Sequence, residues 1–191
     1  MFDPSRVCLA VTTIQSPSTA HVTRVQATEY LDSLKAAVIG TDLVSPQQLL
    51  QLVSDLFNPS SAYPPEVRHF ALSLFDHFIK FSSSEVFLRS LPLVKQSAIQ
   101  LIQYSLPSEP LFLKEKISST IVEIAKRVWP QSWEDFLSQL YALGGSSDRP
   151  HQAELVLIVL RLLPEEARSF GRDLSKERKS DMMYGITCNL E

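Results

Sequence analysis

Three predicted helices in this sequence end in a similar way, on an apolar residue followed by lysine. The three dipeptides are Leu34-Lys35, Ile79-Lys80 and Ala125-Lys126, and their lysines stand 45 and 46 residues apart. This spacing falls within the ~40 to 47 residues of HEAT and armadillo repeats, each of which is built from a helix pair. Since such a pair cannot bury its own apolar face, it must stack on a neighbouring pair.

The period predicts an all-α fold, a HEAT-repeat α-solenoid in which antiparallel helix pairs stack into a right-handed superhelix. The second helix of each pair is predicted over residues 18–39, 66–81, 111–127 and 151–163, and none of the 12 prolines falls inside these ranges. The fourth pair is shorter, ending about 35 residues beyond Lys126. An ordinary irregular helical domain is the alternative, because two similar spacings can arise by chance.

We predict the remaining elements from the capping residues, helix-starting prolines and serine clusters that lie between these helices. We expect Gly40 to close the helix over 18–39. We expect Glu165-Glu166 to lie in a first helical turn, where acidic side chains offset the helix dipole. The other predicted elements are a helix that ends at Ser16-Pro17, a helix opened by Ser45-Pro46, a helix over 92–105 after a break at 82–84, a helix capped by Ser132, a loop over 144–147 and a last helix over 174–186.

The composition favours helices and narrows the class of protein. Twelve prolines against 5 glycines suit helix starts better than the glycine-rich turns of nucleotide-binding folds. A net charge of -3 provides no global basic field to hold a phosphate backbone. Cys8 and Cys188 form neither a disulfide framework nor a metal motif, which suits the cytosol or nucleus. The longest apolar run, 155–160, is too short to cross a membrane.

The familiar sequence motifs of enzymes do not occur in this chain. There is no Gly-x-Gly-x-x-Gly, no phosphate-loop lysine motif, no His-Glu-x-x-His and no Gly-x-Ser-x-Gly. His69 and His77 lie eight residues apart on one predicted helix, but no cysteine or carboxylate stands at ligand spacing, so packing or surface roles are expected. We therefore predict a protein that is not an enzyme and that needs neither a metal nor a cofactor.

Basic residues and aromatic residues form two further groups. The basic stretches are 114–116, 126–127 and 172–179, each interleaved with acids, so a solvated face is favoured and a binding surface is the alternative. Trp129 and Trp133 flank Pro130 in the sequence Trp-Pro-Gln-Ser-Trp, a helix-to-helix corner. Core packing between adjacent repeats is expected of these aromatics, with ligand binding as the alternative.

The segment 112–137, which contains this corner, resembles the N-terminal region of the karyopherin-β exportins, in the block called the exportin-1/importin-β-like domain. The resemblance is strongest to the exportin-5 branch of that family, and it covers about residues 20–190 in the same order. The segments similar to the preceding and following repeats are 67–72, 77–81, 154–163 and 174–183.

The resemblance implies a nuclear transport receptor that binds Ran-GTP and cargo in the nucleus and releases both in the cytoplasm after GTP hydrolysis. Hairpin RNA such as microRNA precursors, or protein, is the implied cargo, and nucleoporins are implied partners of a receptor that shuttles between nucleus and cytoplasm. A HEAT-repeat scaffold without Ran dependence is the alternative. In this family the second helices line the concave face that binds Ran. Five polar residues, expected to be exposed, are therefore Ran-facing candidates: Arg68, Asp76, Lys80, Glu123 and Lys126.

Exportins run to many hundreds of residues, so residues 1–191 are expected to form the N-terminal repeats of a longer solenoid. The last residues, Asn189-Leu190-Glu191, do not resemble the polar cap that ends a solenoid. The mild acidity of the chain predicts that hairpin RNA is held mostly by downstream repeats.

Overall fold

A computed structural model describes residues 3–39, 45–168 and 175–188. Every regular element within these residues is helical, and the chain divides into two compact units, Met1–Tyr104 and Ser105–Glu191. None of the described helices combines the length and apolar character needed to cross a bilayer. In chain order the helices are α1 (Pro4–Gln15), α2 (His21–Ile39), α3 (Pro46–Phe57), α4 (Pro65–Phe81), α5 (Ser84–Gln103), α6 (Leu111–Val128), α7 (Phe136–Gly144), α8 (Pro150–Arg168) and α9 (Lys176–Cys188), with a 3-10 turn at Pro59–Ser61.

The four predicted second helices correspond to α2, α4, α6 and α8. The bounds of α4 and α6 differ from the prediction by no more than one residue. Helix α2 begins at His21 rather than residue 18, because the preceding backbone forms a turn that the Arg24 side chain holds. Its Nη2 donates to the carbonyls of Ser16 and Thr19, each at 3.1 Å. Helix α8 continues through Pro164 to Arg168, beyond the predicted end.

In the first unit, α1 packs on α2, α3 packs on α4 and α5, and the second helices α2 and α4 are neighbours. Helix α4 is the most deeply buried because its apolar residues recur every three or four positions. Phe70 on this stripe is only half-buried. The buried members of the stripe are Val67, Ala71, Leu74, Phe75, Phe78 and Ile79.

In the second unit, α8 is the central helix, since α6, α7 and α9 all pack against it. Helix α6 directs its predicted stripe into the core of this unit. The buried members of that stripe are Leu113, Ile117, Thr120, Ile121, Ile124 and Val128.

The prediction for α5 is wrong at its start. The serines at 82–84 begin a helix: Ser83 is the N-cap, and its Oγ accepts from the Val86 amide at 3.3 Å. Pro92 lies inside this helix rather than opening it. The apolar positions Phe87 and Leu91, both buried, continue the α5 pattern upstream of the proline. Packing of these residues therefore keeps the helix continuous despite the missing amide.

Helix α7 also begins later than predicted, at Phe136 after an N-cap at Asp135. The chain before it makes turns, in which the Ser132 amide donates to the Val128 carbonyl at 2.7 Å. The predicted cap at Ser45 is confirmed, with Oγ accepting from the Gln48 amide at 3.3 Å. Gly144 ends α7, so the loop begins one residue later than predicted. Gly40 and the predicted helix start at residue 174 lie outside the described residues.

Candidate functional site

Lys126 lies in the last turn of α6, and its side chain is only 8% exposed although it is charged. Its Nζ lies 3.0 Å from Glu123 Oε1 on the same helix and 3.0 Å from Glu166 Oε2 on α8. Burial lowers the pKa of Lys126, but its hydrogen bonds to Glu166 and Glu123 outweigh burial, so the pKa is raised overall. The two carboxylates therefore keep this buried lysine protonated.

A second ion pair joins α6 and α8 near their N-terminal ends. Lys114 Nζ lies 2.7 Å from Glu154 Oε2, and both this pair and the Lys126–Glu166 pair connect residues 40 positions apart. Two contacts with the same offset require α6 and α8 to run parallel. Between them, the Oγ of Ser118 donates to the Leu155 carbonyl at 3.4 Å. The parallel arrangement is the one expected of second helices in adjacent repeats.

The carbonyl end of α6 is capped by a side chain from α9. Arg178 Nε donates to the Lys126 carbonyl at 3.0 Å and Nη2 donates to the Ala125 carbonyl at 3.3 Å. Burial lowers the pKa of Arg178, and the charge of Asp181 opposes this shift. A cation at this position satisfies the Lys126 carbonyl, to which Pro130 cannot donate, and offsets the negative end of the helix dipole. The Ala125 carbonyl also accepts from the Trp129 amide at 2.8 Å.

The tryptophan corner lies in the core of the second unit. Trp129 and Trp133 are both 1% exposed, and the Trp129–Pro130 peptide bond is cis. The Phe136 ring lies 6.1 Å from the Trp129 ring and 4.7 Å from the Trp133 ring, measured between centroids. These tilted aromatic contacts explain why the corner carries two large side chains.

Three of the five Ran-facing candidates lie on α4. Arg68 is buried near the start of the helix, with its Cζ 4.7 Å from the centroid of the Phe57 ring. Asp76 is buried in the middle of α4, whereas Lys80 in the last turn is exposed. The contact between Arg68 and Phe57 is a cation–π interaction between the start of α4 and the end of α3.

The expectation that all five candidates are exposed is therefore wrong for Arg68, Asp76 and Lys126, which are buried. Glu123 is half-buried and Lys80 is exposed. The pattern of polar residues on a helix indicates which side lacks apolar residues. It does not indicate whether a neighbouring helix covers that side, as α8 covers Lys126.

The interpretation of Glu165-Glu166 and of the basic stretches also needs correction. Both glutamates lie near the C-terminal end of α8, where they cannot offset the dipole as proposed, and Glu166 instead pairs with Lys126. The stretch 126–127 is not a solvated face, because Lys126 is buried and Arg127 is half-buried. The contact between Glu166 and Lys126, which lie 40 residues apart, was not predicted from the sequence. Arg172 lies outside the described residues.

His69 and His77 face partly toward solvent on α4. The His77 ring lies 4.6 Å from the Phe81 ring, and burial together with the charge of Lys35 lowers the pKa of His77. Across the described part of the chain, no three His, Cys, Asp or Glu side chains come together as a metal-binding group.

Comparisons with known proteins identify relatives of this chain. The family described as Exportin 1-like protein matches residues 110–191, the part that contains α6 to α9. Exportin-5 of Dictyostelium discoideum is 34% identical over 124 residues, which are 63% of this chain and 11% of the relative. Exportin-5 of Homo sapiens is 32% identical over 128 residues, 65% of this chain and 10% of the relative. Protein HASTY 1 of Arabidopsis thaliana is 29% identical over 190 residues, 97% of this chain and 15% of the relative.

The helix pairs and these matches together define a karyopherin-β protein with HEAT-repeat organisation. The chain is similar to the exportin family over residues 110–191 and to exportin-5 proteins over about two thirds of its length. The predicted family and the predicted all-α, HEAT-repeat class of fold are confirmed. The chain spans only 10 to 15% of the length of the relatives named above.

Proposed function

We propose that this chain forms the Ran-binding repeats of a nuclear export receptor that carries cargo from nucleus to cytoplasm. The observation that supports this proposal is the similarity to exportin-5 proteins, which extends over about two thirds of the chain. The receptor binds Ran-GTP in the nucleus, releases it in the cytoplasm, and so shuttles between the two compartments. This chain supplies a binding surface in that cycle and no catalytic group.

The five candidate residues divide into two roles under this proposal. Lys80 is exposed and Glu123 is half-buried, so these two are the candidates for direct contact with Ran. Arg68, Asp76 and Lys126 are buried, so they act by positioning the helices that carry the contacts. The Lys126 ion pairs, for example, fix the position of Glu123 relative to α8.

Cargo and nucleoporins are partners of the whole receptor in this proposal. Hairpin RNA of the microRNA-precursor type and protein are both candidate cargo. Lys114 and Lys126 are already bound to carboxylates, which leaves little unbalanced positive charge for RNA on this face. RNA cargo is therefore held mainly by other repeats of the receptor.

The test is a pull-down of this chain with Ran locked in the GTP form and, separately, in the GDP form. We expect retention of the GTP form alone, and weaker retention when Lys80→Glu reverses an exposed charge on a second helix. Arg89→Glu is the matched control, since Arg89 is exposed on the first helix α5. Equal or absent binding of both Ran forms would refute the transport proposal for this chain and favour a HEAT-repeat scaffold without Ran dependence.

A further inference from the structure

Helix α9 differs from its neighbours in how little of its surface is buried. Within its described residues only Met182 and Gly185 are buried, and Tyr184 is 73% exposed. By contrast, α8 buries six residues, most of them apolar: Gln152, Leu155, Val156, Val159, Leu163 and Ala167. Within residues 1–191, burial of apolar surface therefore contributes less to the attachment of α9 than to that of α8.

Polar contacts at the end of α6 supply the missing attachment. Arg178 donates to the Ala125 and Lys126 carbonyls at 3.3 and 3.0 Å, and its Nη1 donates to Gln131 Oε1. Gln131 Nε2 in turn donates to Asp181 Oδ2 at 2.6 Å, one turn further along α9. The guanidinium is thus shared between the end of a helix and the loop that follows it. Hydrogen bonds from a charged donor are stronger than those between neutral groups.

The second attachment point is a close approach between Gly185 and Trp129. A Cβ atom at residue 185 would lie 2.7 Å from Cη2 and 2.9 Å from Cζ2 of the indole. These distances are shorter than carbon atoms normally allow, so only glycine lets the backbone of α9 cover this ring. Trp129 is 1% exposed as a result.

We propose that α9 is a detachable clamp, which undocks from the second unit while α6 to α8 remain folded. Arg178 and Gly185 set the equilibrium between the docked and undocked states. Undocking exposes the Trp129 ring and frees the Lys126 carbonyl at the end of α6. Elements with few buried apolar contacts are the ones that open locally at low free energy, which is the physical basis of such a device. The clamp is independent of the proposed binding of Ran.

Hydrogen exchange of the full chain tests the role of Arg178. We expect Arg178→Gln to accelerate exchange of the α9 amides by about tenfold or more, because a charged donor to two carbonyls is lost. Exchange in α6 and α8 should stay unchanged. Arg178→Lys should give an intermediate rate, since an ammonium group cannot bridge both carbonyls in the fork geometry of a guanidinium. Arg89→Gln removes an exposed ion-paired arginine and is the matched control.

Tryptophan fluorescence tests the role of Gly185. In a Trp133→Phe background the single remaining tryptophan is Trp129. We expect Gly185→Ala to increase acrylamide quenching of this residue at least twofold, while helix content by circular dichroism is retained. Alanine favours the helix itself, so a change in quenching reports undocking rather than melting of α9. The exchange experiment needs no tryptophan substitution and therefore does not depend on this background.

Two results would overturn the proposal. Unchanged α9 exchange in Arg178→Gln together with unchanged quenching in Gly185→Ala would mean that neither residue controls docking. Equal acceleration of exchange in α6, α8 and α9 would mean that α9 opens only with the whole unit. Selective acceleration in α9 supports the clamp.

Discussion

At the residue scale, Lys126 combines burial with charge and takes part in the attachment of two other helices. Its ammonium group binds Glu166 on α8, and its carbonyl accepts from Arg178 on α9. The side chain and the backbone of one residue therefore connect α6 to both helices. Burial of a lysine is costly unless carboxylates compensate for the lost hydration, and here two of them do so.

Substitution of this lysine should be more damaging than substitution of an exposed one. We expect Lys126→Met to lower the free energy of unfolding by about 2 kcal/mol, because two charge-assisted hydrogen bonds are lost and two carboxylates are left close together. Urea denaturation measures the loss. The matched control Arg89→Met removes an (i,i+4) pair whose side chains are 75% and 79% exposed, and it should cost less than about 0.5 kcal/mol. Equal losses would contradict a structural role for the buried pair.

His77 gives a prediction about pH. Burial and the charge of Lys35 lower its pKa below the ordinary 6.5. The unfolded chain therefore binds a proton more readily than the folded chain, so this residue reduces stability as pH falls through 6.5 toward the lower folded pKa. Titration followed by NMR should give a His77 midpoint below 6.5. Lys35→Met should raise the midpoint part of the way back, because burial remains.

Lys95→Met, a lysine substitution on α5, is the control for that titration and should leave the midpoint unchanged. A wild-type midpoint at or above 6.5 would show that the neighbourhood of His77 does not disfavour the imidazolium.

At the scale of elements, the second helices were predictable and several first helices were not. The stripes of α4 and α6 repeat every three or four residues, and burial then follows from periodicity alone. For α5 we predicted a break at 82–84 and a helix start at Pro92, because proline is common at the first helical position. In the structure the helix begins after the Ser83 cap, because Phe87 and Leu91 upstream of the proline pack into the core. The start of α7 was missed because residues 129–135 form turns instead of a helix, which the spacing of Ser132 and Asp135 does not indicate.

The residues of the candidate site were predictable from the sequence, but the residues that contact them were not. The sequence indicated Lys126 and the tryptophan corner, and both lie where helices meet. It did not indicate that Glu166 and Arg178 contact Lys126, since these residues are 40 and 52 positions away. Burial of a polar residue depends on such distant partners, and local pattern carries no information about them.

Pro92 provides a test of how α5 tolerates an interior proline. Proline removes one backbone hydrogen bond and crowds the preceding turn, at about 3 kcal/mol in a helix interior. Because Pro92 is exposed, Pro92→Ala removes no packing. We expect the variant to be more stable by about 1 to 2 kcal/mol, measured by urea denaturation. Alanine at the exposed Leu93 is the control for a change in surface composition. A loss of stability in Pro92→Ala would mean that packing of α5 on α3 requires a bend at the proline.

At the scale of the whole molecule, charge is balanced locally as well as in total. The net charge is -3, and the ion pairs of Lys114 and Lys126 couple α6 to α8 instead of presenting cations to solvent. Lysines that are paired in this way contribute little to binding of a phosphate backbone, which gains affinity by releasing counterions.

This balance predicts weak binding of hairpin RNA by the chain itself. At about 0.15 M salt we expect a dissociation constant no tighter than the ~10⁻⁴ to 10⁻⁶ M of non-specific binding. The double variant Glu154→Gln, Glu166→Gln leaves both lysines without their α8 carboxylates, so it should bind more tightly and with a steeper dependence on salt. Fluorescence anisotropy with a labelled hairpin across a salt series measures both quantities. Nanomolar, strongly salt-dependent binding by the wild-type chain would show that these repeats hold RNA directly, because local pairing of the lysines would then not prevent phosphate contacts.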